Sequence, residues 1–239
     1  MTEINSFKKG IYDGIPICLG YLSVAFAFGI FAVANGLSAP EALMISMTNV
    51  TSAGQLAAVP IITGGGSLLE LAVAQLVINL RYALMSVSLS QKLGGSVRFM
   101  DRFLIAFVNT DEVFAVAHGQ SEAVGRRYMY GLILTPYLGW SAGTIIGALA
   151  GSILPSAVTS ALGVAIYGMF VAIVLPPAKK DKATALCVVI AIALSCAFRY
   201  IPALSGVPGG FTVILCAAAA GTIMALAAPV KDEEAEENE

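Results

Sequence analysis

Long apolar runs joined by short connections dominate this chain. A helix needs about 20 apolar residues to cross the hydrocarbon core of a bilayer. Segments that approach this length occupy residues 14–34, 42–62, 68–90, 103–117, 128–153, 157–176, 183–198 and 211–229. Of the 239 residues, 58% are hydrophobic and only 12% are charged, a charge content about half that of an average soluble domain. The sequence therefore predicts an all-α, polytopic helical membrane protein with about eight hydrophobic segments.

The chain shows no linker between these segments. We expect residues 1–230 to form a single transmembrane transport domain whose first segment is a retained helix. Six of the fifteen acidic residues lie within the last eight positions. Such a charge run is typical of a disordered, solvated end, and residues 231–239 are predicted to be one.

Basic residues in the loops indicate the topology. They cluster near residues 8–9, 92–102, 126–127 and 179–182, whereas the connections near residues 36, 65 and 154 have none. All four clusters fall on one side only if the second and fourth segments do not cross completely, and these are also the two most polar segments. We therefore predict six full spans and two broken or re-entrant segments. Both termini are expected to be cytoplasmic, in a multi-pass protein of the cell membrane.

The fifth segment contains a row of four glycines at four-residue spacing, Gly139, Gly143, Gly147 and Gly151. This spacing places all four on one helix face, which allows another backbone to approach closely. The row predicts either internal helix packing or a docking face for a partner subunit.

A polar run interrupts the second segment, with Asn49, Thr51, Ser52, Gly54 and Gln55 as its members. A helix broken here would expose free N–H groups at the start of its second half, and these attract a carboxylate. Unwound carbonyl groups nearby would accept from an ammonium group. The run is therefore a candidate site for a zwitterionic amino acid. The alternative is that its side chains only bond to a neighbouring helix.

The third segment contains Glu70, Asn79 and Arg81. Ionisable groups within a membrane are costly and indicate function. Glu70 and Arg81 share a helix face but lie roughly 16 Å apart along the axis, too far for a direct pair. Asn79 and Arg81 are candidate substrate-binding residues, and Glu70 is a candidate for proton coupling or ion pairing. Arg81 requires a carboxylate partner from the protein or from the substrate.

Two adjacent acids, Asp111 and Glu112, lie between apolar stretches of the fourth segment. A protonatable carboxylate in the membrane suits proton-coupled transport. The alternatives are a static partner for Arg81 or a cap at the start of a short helix.

Several other functions are not indicated. The chain lacks a GxSxG nucleophile elbow, an HExxH motif and a phosphate-binding loop. Its single histidine and four scattered cysteines suggest no metal site. We expect no enzymatic activity, no cofactor and no nucleic-acid partner.

The polar motifs together resemble those of the AzlC-type branched-chain amino acid permeases. The resemblance rests on Gly-Ile-Pro at 14–16, Ala-Gly-Gln at 53–55, Asn-Leu-Arg-Tyr at 79–82 and Thr-Asp-Glu at 110–112. It implies export of leucine, isoleucine and valine, with methionine a further candidate, and a small hydrophobic partner subunit of the AzlD type. The chain departs from the family at Tyr82, where members often carry histidine.

These observations lead to a hypothesis of alternating access around a site near the middle of the membrane, driven by the proton gradient. Two other functions remain open at this stage. A passive channel would give non-saturable flux, and a structural membrane subunit would have no pathway of its own.

Overall fold

Helices account for almost all of the fold. The computed structural model describes residues 3–153, 155, 168, 171, 174–204 and 206–228. Its helices are α1 (Phe7–Ala34), α2 (Ala39–Thr48), α3 (Ser52–Thr63), α4 (Leu68–Lys92), α5 (Phe99–Phe107), α6 (Asp111–His118), α7 (Arg126–Ile153), α8 (Lys182–Tyr200) and α9 (Gly209–Ala227). Residues 174–180 are also helical. Two short strands, β1 (Glu3–Ile4) and β2 (Ala123–Val124), pair in parallel.

Five of the described helices are long and apolar enough to cross a membrane, namely α1, α4, α7, α8 and α9. Helices suit this environment because they satisfy their backbone hydrogen bonds internally. The prediction of an all-α polytopic membrane protein is confirmed. Of the six full spans expected, the one at residues 157–176 falls almost entirely outside the described residues.

Helices α1 and α7 form the most extensive helix pair. A methyl group at Gly139 would lie 2.6 Å from the Cys18 carbonyl oxygen, and one at Gly143 would lie 2.5 Å from that of Leu22. Contact positions rise together along both helices, so the two run parallel. The glycine row therefore serves internal packing, because α1 already covers the face that a partner subunit would need.

Helices α2 and α3 form a hairpin, the first hairpin, which enters beside the C-terminal ends of α1 and α7. Ala42 near its start and Val59 near its end belong to one cluster with Phe28 and Ala148. Both ends of the hairpin therefore lie at the same end of the bundle, and its tip near Asn49 points inward.

Helices α5 and α6 form a second hairpin, which enters from the other end. Asp101 in the first turn of α5 is paired with Arg126 at the start of α7, at 3.1 Å. A hydrogen bond from Tyr130 is the main cause that lowers the pKa of the Asp101 carboxyl. Ala117 near the end of α6 packs in the same cluster as Val124. The second and fourth segments are thus broken as predicted, and each hairpin returns to the end of the bundle from which it enters.

All four basic clusters lie at the end of the bundle where α1 and α7 begin, here called the basic end. Lys92 ends α4 beside Leu93, which forms a bridge to Val124. At the end of the bundle opposite the basic end, the start of α9 contacts the start of α4. The Gly210 N–H donates to the Glu70 carboxylate there at 2.8 Å. A helix of 19 residues spans about 28 Å, which returns the first residues of α8 to the basic end.

The α1–α7 packing gives a direct stability prediction. Gly143→Ala places a methyl group against the Leu22 carbonyl, so we expect the free energy of unfolding to fall by about 1–3 kcal/mol, the usual cost of overpacking. Thermal unfolding of the purified protein, followed by the fluorescence of Trp140, measures the effect. Gly221→Ala in α9 is the matched control, because no heavy atom lies within 4 Å of the added methyl group. Equal stability of the two variants would contradict the packing described above.

Candidate functional site

The tips of the two hairpins meet at a central cavity of about 510 Å³. Helices α1, α4 and α7 close its sides. Its lining residues are Pro16, Ile17, Gly20, Tyr21, Ser23, Val24, Val50, Thr51, Ser52, Ala53, Arg81, Tyr82, Thr110, Asp111, Glu112 and Trp140. Three separate polar motifs of the sequence therefore converge on one space.

Each hairpin tip ends one helix and starts another at the cavity. Thr51 caps α3 by accepting from the Gly54 N–H at 3.2 Å, and Thr110 caps α6 by accepting from the Val113 N–H at 3.4 Å. The first N–H groups of a helix have no partner within it, and the helix dipole places partial positive charge there. Two helix N-termini thus open into the same cavity, one from each hairpin.

An ion pair crosses the cavity from α4 to the second hairpin. Arg81 Nη1 lies 2.7 Å from Asp111 Oδ2, and both side chains are about half exposed within the structure, at 55% and 44%. Arg81 also donates to the Tyr82 hydroxyl at 3.0 Å and lies over the Tyr82 ring at 4.7 Å. Because the pair is open on one side, a solute in the cavity can reach the guanidinium.

Glu112 has a different partner from its neighbour Asp111. The Tyr21 hydroxyl of α1 donates to Glu112 Oε2. Tyr21 is 8% exposed, and its ring packs edge-on against Trp140 with 5.0 Å between the ring centroids. The two adjacent acids therefore connect the second hairpin to opposite walls of the cavity.

Gln75 of α4 organises the polar groups of the first hairpin. Its amide nitrogen donates to the Gly54 carbonyl at 2.9 Å. Its oxygen accepts from Asn49 at 2.8 Å and from Asn79 at 3.2 Å. A second, smaller cavity of about 170 Å³ adjoins this network. It is lined by Thr48, Asn49, Val50, Thr51, Asn79, Tyr82, Ala106, Phe107 and Asn109.

Gln55 does not line the central cavity, although the sequence pattern made it a candidate ligand. Its side chain is fully buried and donates to the Ser46 hydroxyl at 2.6 Å, which in turn lies 2.5 Å from the Thr144 hydroxyl. The residue points away because α3 begins at Ser52, which turns position 55 toward α2 and α7. In this placement Gln55 joins the first hairpin to the α1–α7 pair through Ser46 and Thr144.

Glu70 likewise lies far from Asp111 and Glu112. It is buried at the opposite end of α4, where it borders a separate cavity of about 660 Å³. Its carboxylate accepts from the backbone of Gly210 and so joins α4 to α9. Glu70 therefore does not share a cavity with the two acids of the second hairpin.

The site contains residues that the sequence argument did not single out. Tyr21 and Trp140 lie in apolar segments and carry no charge that marks them as costly. Gln75 is visibly polar, but the sequence argument gave it no role at the site. Tyr82 was visible only as the departure from the family pattern. Among the residues that the structure describes, no three His, Cys, Asp or Glu side chains lie close enough to hold a metal ion.

Comparisons with known proteins identify membrane and transport proteins as relatives of this chain. The chain is 36% identical over 181 residues to an uncharacterized membrane protein of Archaeoglobus fulgidus, an alignment that covers 75% of this chain and 79% of the relative. It is 32% identical over 194 residues to the inner membrane protein YgaZ of Escherichia coli, covering 78% of each. It is 24% identical to the branched-chain amino acid transport protein AzlC of Bacillus subtilis, covering 74% of this chain and 70% of the relative.

No solved structure matches the chain. The family model described as AzlC protein matches residues 16–154, a region that contains both hairpins and every residue of the central cavity. The chain therefore belongs to the AzlC family.

Proposed function

We propose that this protein exports branched-chain amino acids through the cavity between the two hairpin tips. The observation that carries the proposal is the meeting of two helix N-termini and one arginine inside a membrane-embedded cavity. Intramembrane charges are expensive and are kept where a solute or an ion needs them. Discontinuous helices that end near the midplane are a recurrent way to build such a site.

The substrate carboxylate binds at Arg81 and at the N-termini of α3 and α6. Thr51 and Ser52 present the first turn of α3 to the cavity. Arg81 forms a geometrically specific pair with a carboxylate, so the substrate and Asp111 compete for the same guanidinium. Asn49, Gly54 and Asn79 support this arrangement through Gln75. Gln55 and Glu70 act in the scaffold instead.

The aliphatic side chain of the substrate packs on the apolar part of the wall. Ile17, Val24, Val50 and Ala53 line the cavity, and the Trp140 ring lies behind Tyr21. Such a surface favours branched hydrocarbon groups over charged ones. The similarity to a branched-chain amino acid transport protein of Bacillus subtilis supports this substrate class.

Transport is coupled to protons through the acids of the second hairpin. When the substrate takes Arg81, Asp111 loses its partner and becomes easier to protonate. Glu112, held by Tyr21, is the second candidate carrier. Exchange of partners at Arg81 would then bias the hairpins between access from the basic end and access from the opposite end.

The orientation and the partner complete the proposal. Positively charged loops favour the cytoplasm, so the basic end and both termini face inward. A small hydrophobic subunit of the AzlD type acts with this protein in the cell membrane. The chemistry of the site suits transport rather than enzymatic conversion.

The first prediction concerns the ion pair. Efflux of preloaded radiolabelled leucine or valine, from cells that carry both subunits, should fall about 10- to 100-fold in Arg81→Ala, as expected for a lost hydrogen bond to a charged group. Asp111→Asn should show a comparable loss. Arg102→Ala is the control, because Arg102 is an exposed arginine outside the central cavity. Both test variants should still reach the membrane. Full efflux activity in either variant would remove that residue from the mechanism.

The second prediction separates coupling from binding. In liposomes that contain the purified complex, Glu112→Gln should keep exchange of labelled for unlabelled leucine, because exchange needs no net proton movement. Net efflux in this variant should no longer respond to an imposed pH gradient. Glu122→Gln, outside the cavity, should retain the response. If Glu112→Gln and Asp111→Asn both respond like the unmodified protein, proton coupling through these acids is wrong. Flux that never saturates would indicate a passive channel.

A further inference from the structure

The small cavity beside the first hairpin has an unusual chemical character. Asn49, Asn79 and Asn109 line it, and Val50, Thr51 and Tyr82 are shared with the central cavity. Two of its three amide groups have a buried oxygen, Asn79 Oδ1 and Asn109 Oδ1, that accepts no hydrogen bond from any described residue. A buried acceptor left without a donor costs about 1–3 kcal/mol. Two such atoms in one cavity therefore indicate a missing donor.

The backbone of Gly54 fixes the direction of the amide network. A carbonyl oxygen only accepts, so the Gln75 group that contacts the Gly54 carbonyl at 2.9 Å must be its NH₂. The Gln75 oxygen is then turned toward Asn49 and Asn79 and must receive their NH₂ groups. Gly54 permits this approach because a methyl group there would lie 2.6 Å from that oxygen.

Each amide nitrogen of the network uses one of its two N–H groups within it, and some of the oxygens are left for other partners. Asn79 gives an N–H to Gln75, and its own oxygen is left over. Within the part of the chain that the structure describes, Asn49 Oδ1 accepts from the Thr51 hydroxyl alone, at 3.2 Å. The Thr51 hydroxyl must donate here because an amide oxygen only accepts.

Asn109 repeats the pattern from the second hairpin. Its amide nitrogen donates to the Ser86 hydroxyl of α4 at 3.1 Å, and its oxygen has no donor among the described residues. The side chain is only 3% exposed. Acceptors from both hairpins and from α4 thus gather around a space of about 170 Å³, which is ample for a small donor group.

We propose that this small cavity binds the ammonium group of the transported amino acid. The inference rests on the proposed function and extends it by dividing recognition between two subsites. Arg81 and the helix N-termini take the carboxylate in the central cavity. The oxygens of Asn79 and Asn109 take the ammonium group in the small cavity, which adjoins the central cavity at Tyr82. A primary ammonium has three N–H donors and no acceptor, which matches the two amide oxygens that have no donor among the described residues.

This division explains why the amides are neutral. A carboxylate at position 79 or 109 would hold a cation more tightly and release it more slowly. Amide oxygens instead bind an ammonium group reversibly, as a transport site requires. The subsite also predicts that substrates lacking a free amine are rejected, because both oxygens would stay buried without a donor.

Binding to the purified full-length protein with its membrane subunit tests the proposal with three probes. L-leucine has both charged groups, 3-methylbutylamine has only the amine, and 4-methylpentanoate has only the carboxylate. In Asn109→Leu, we expect the affinity for leucine and for the amine to fall about tenfold, the loss of one hydrogen bond to a charged group. The affinity for 4-methylpentanoate should not change. Arg81→Ala should give the reverse pattern for the two single-group probes.

Two further variants keep the test decisive. In Asn109→Asp, one carboxylate oxygen can accept from the Ser86 hydroxyl and the other can accept from the ligand. Because the carboxylate is negatively charged, this variant should bind the amine more tightly than the unmodified protein does. Gln91→Leu, an exposed position of α4, should behave like the unmodified protein with all three probes. If Asn109→Leu does not fold, the direction of change in Asn109→Asp decides the question.

The outcomes separate this inference from the proposed function. If the protein binds leucine and neither Asn109→Leu nor Asn109→Asp changes that binding, the ammonium subsite is wrong and the transport proposal stands. If amine binding depends on Asn109 but the protein neither binds nor exports leucine, the subsite is supported and the proposed substrate is wrong. A third outcome would assign the cavity to a metal cation and overturn the proposal. In that case sodium chloride would stabilise the protein more than choline chloride does, the difference would require Asn109, and the amine would have no effect.

Discussion

The structure depends on the fact that backbone N–H and C=O groups cannot be left unpaired in hydrocarbon. Both hairpins stop part-way through the bundle, so each exposes the start of a helix at its tip. Threonine side chains satisfy one N–H at each tip, through Thr51 and Thr110. The remaining polar groups are tolerated because the tips face each other across a cavity enclosed by α1, α4 and α7 rather than lipid.

The α1–α7 pair provides the frame for this arrangement. Glycines let two parallel helices approach at backbone distance, as at Gly139 and Gly143. The first hairpin is held against this frame at one end by the Ser46, Gln55 and Thr144 side chains. The second is held at the basic end by the Asp101 and Arg126 pair. Two hairpins anchored at opposite ends but meeting at their tips form a geometry in which access can alternate.

Charge and amide chemistry are separated within the site. The ion pair between Arg81 and Asp111 is open to the central cavity, whereas the acceptor oxygens of Asn79 and Asn109 lie in the smaller cavity. An amino acid carries both charges on one carbon atom, and the two subsites adjoin at Tyr82. Specificity would then come from a carboxylate and an ammonium group that must be satisfied together, with the apolar wall selecting the side chain.

Much of this organisation could be predicted from the sequence, because membrane insertion makes polar residues conspicuous. The breaks near Asn49 and Asp111, and the need of Arg81 for a carboxylate partner, followed from the cost of polarity in lipid. The direction of the Gln55 side chain could not be predicted, because it depends on the residue at which α3 begins and thus on the rotation of that helix. The role of Glu70 depends on α9, which is distant in sequence. The sequence also left two uses of the glycine row open, and only the position of α1 decided between them.

The central claim is that a solute occupies the space between the hairpin tips. It is tested most directly by thiol labelling of Ser52→Cys in protein whose four native cysteines have been replaced. We expect saturating L-leucine to slow labelling of this position and to leave unchanged the labelling of Ser90→Cys, which lies outside the central cavity. A labelling rate at position 52 that leucine does not alter, in protein that still transports leucine, would contradict the account.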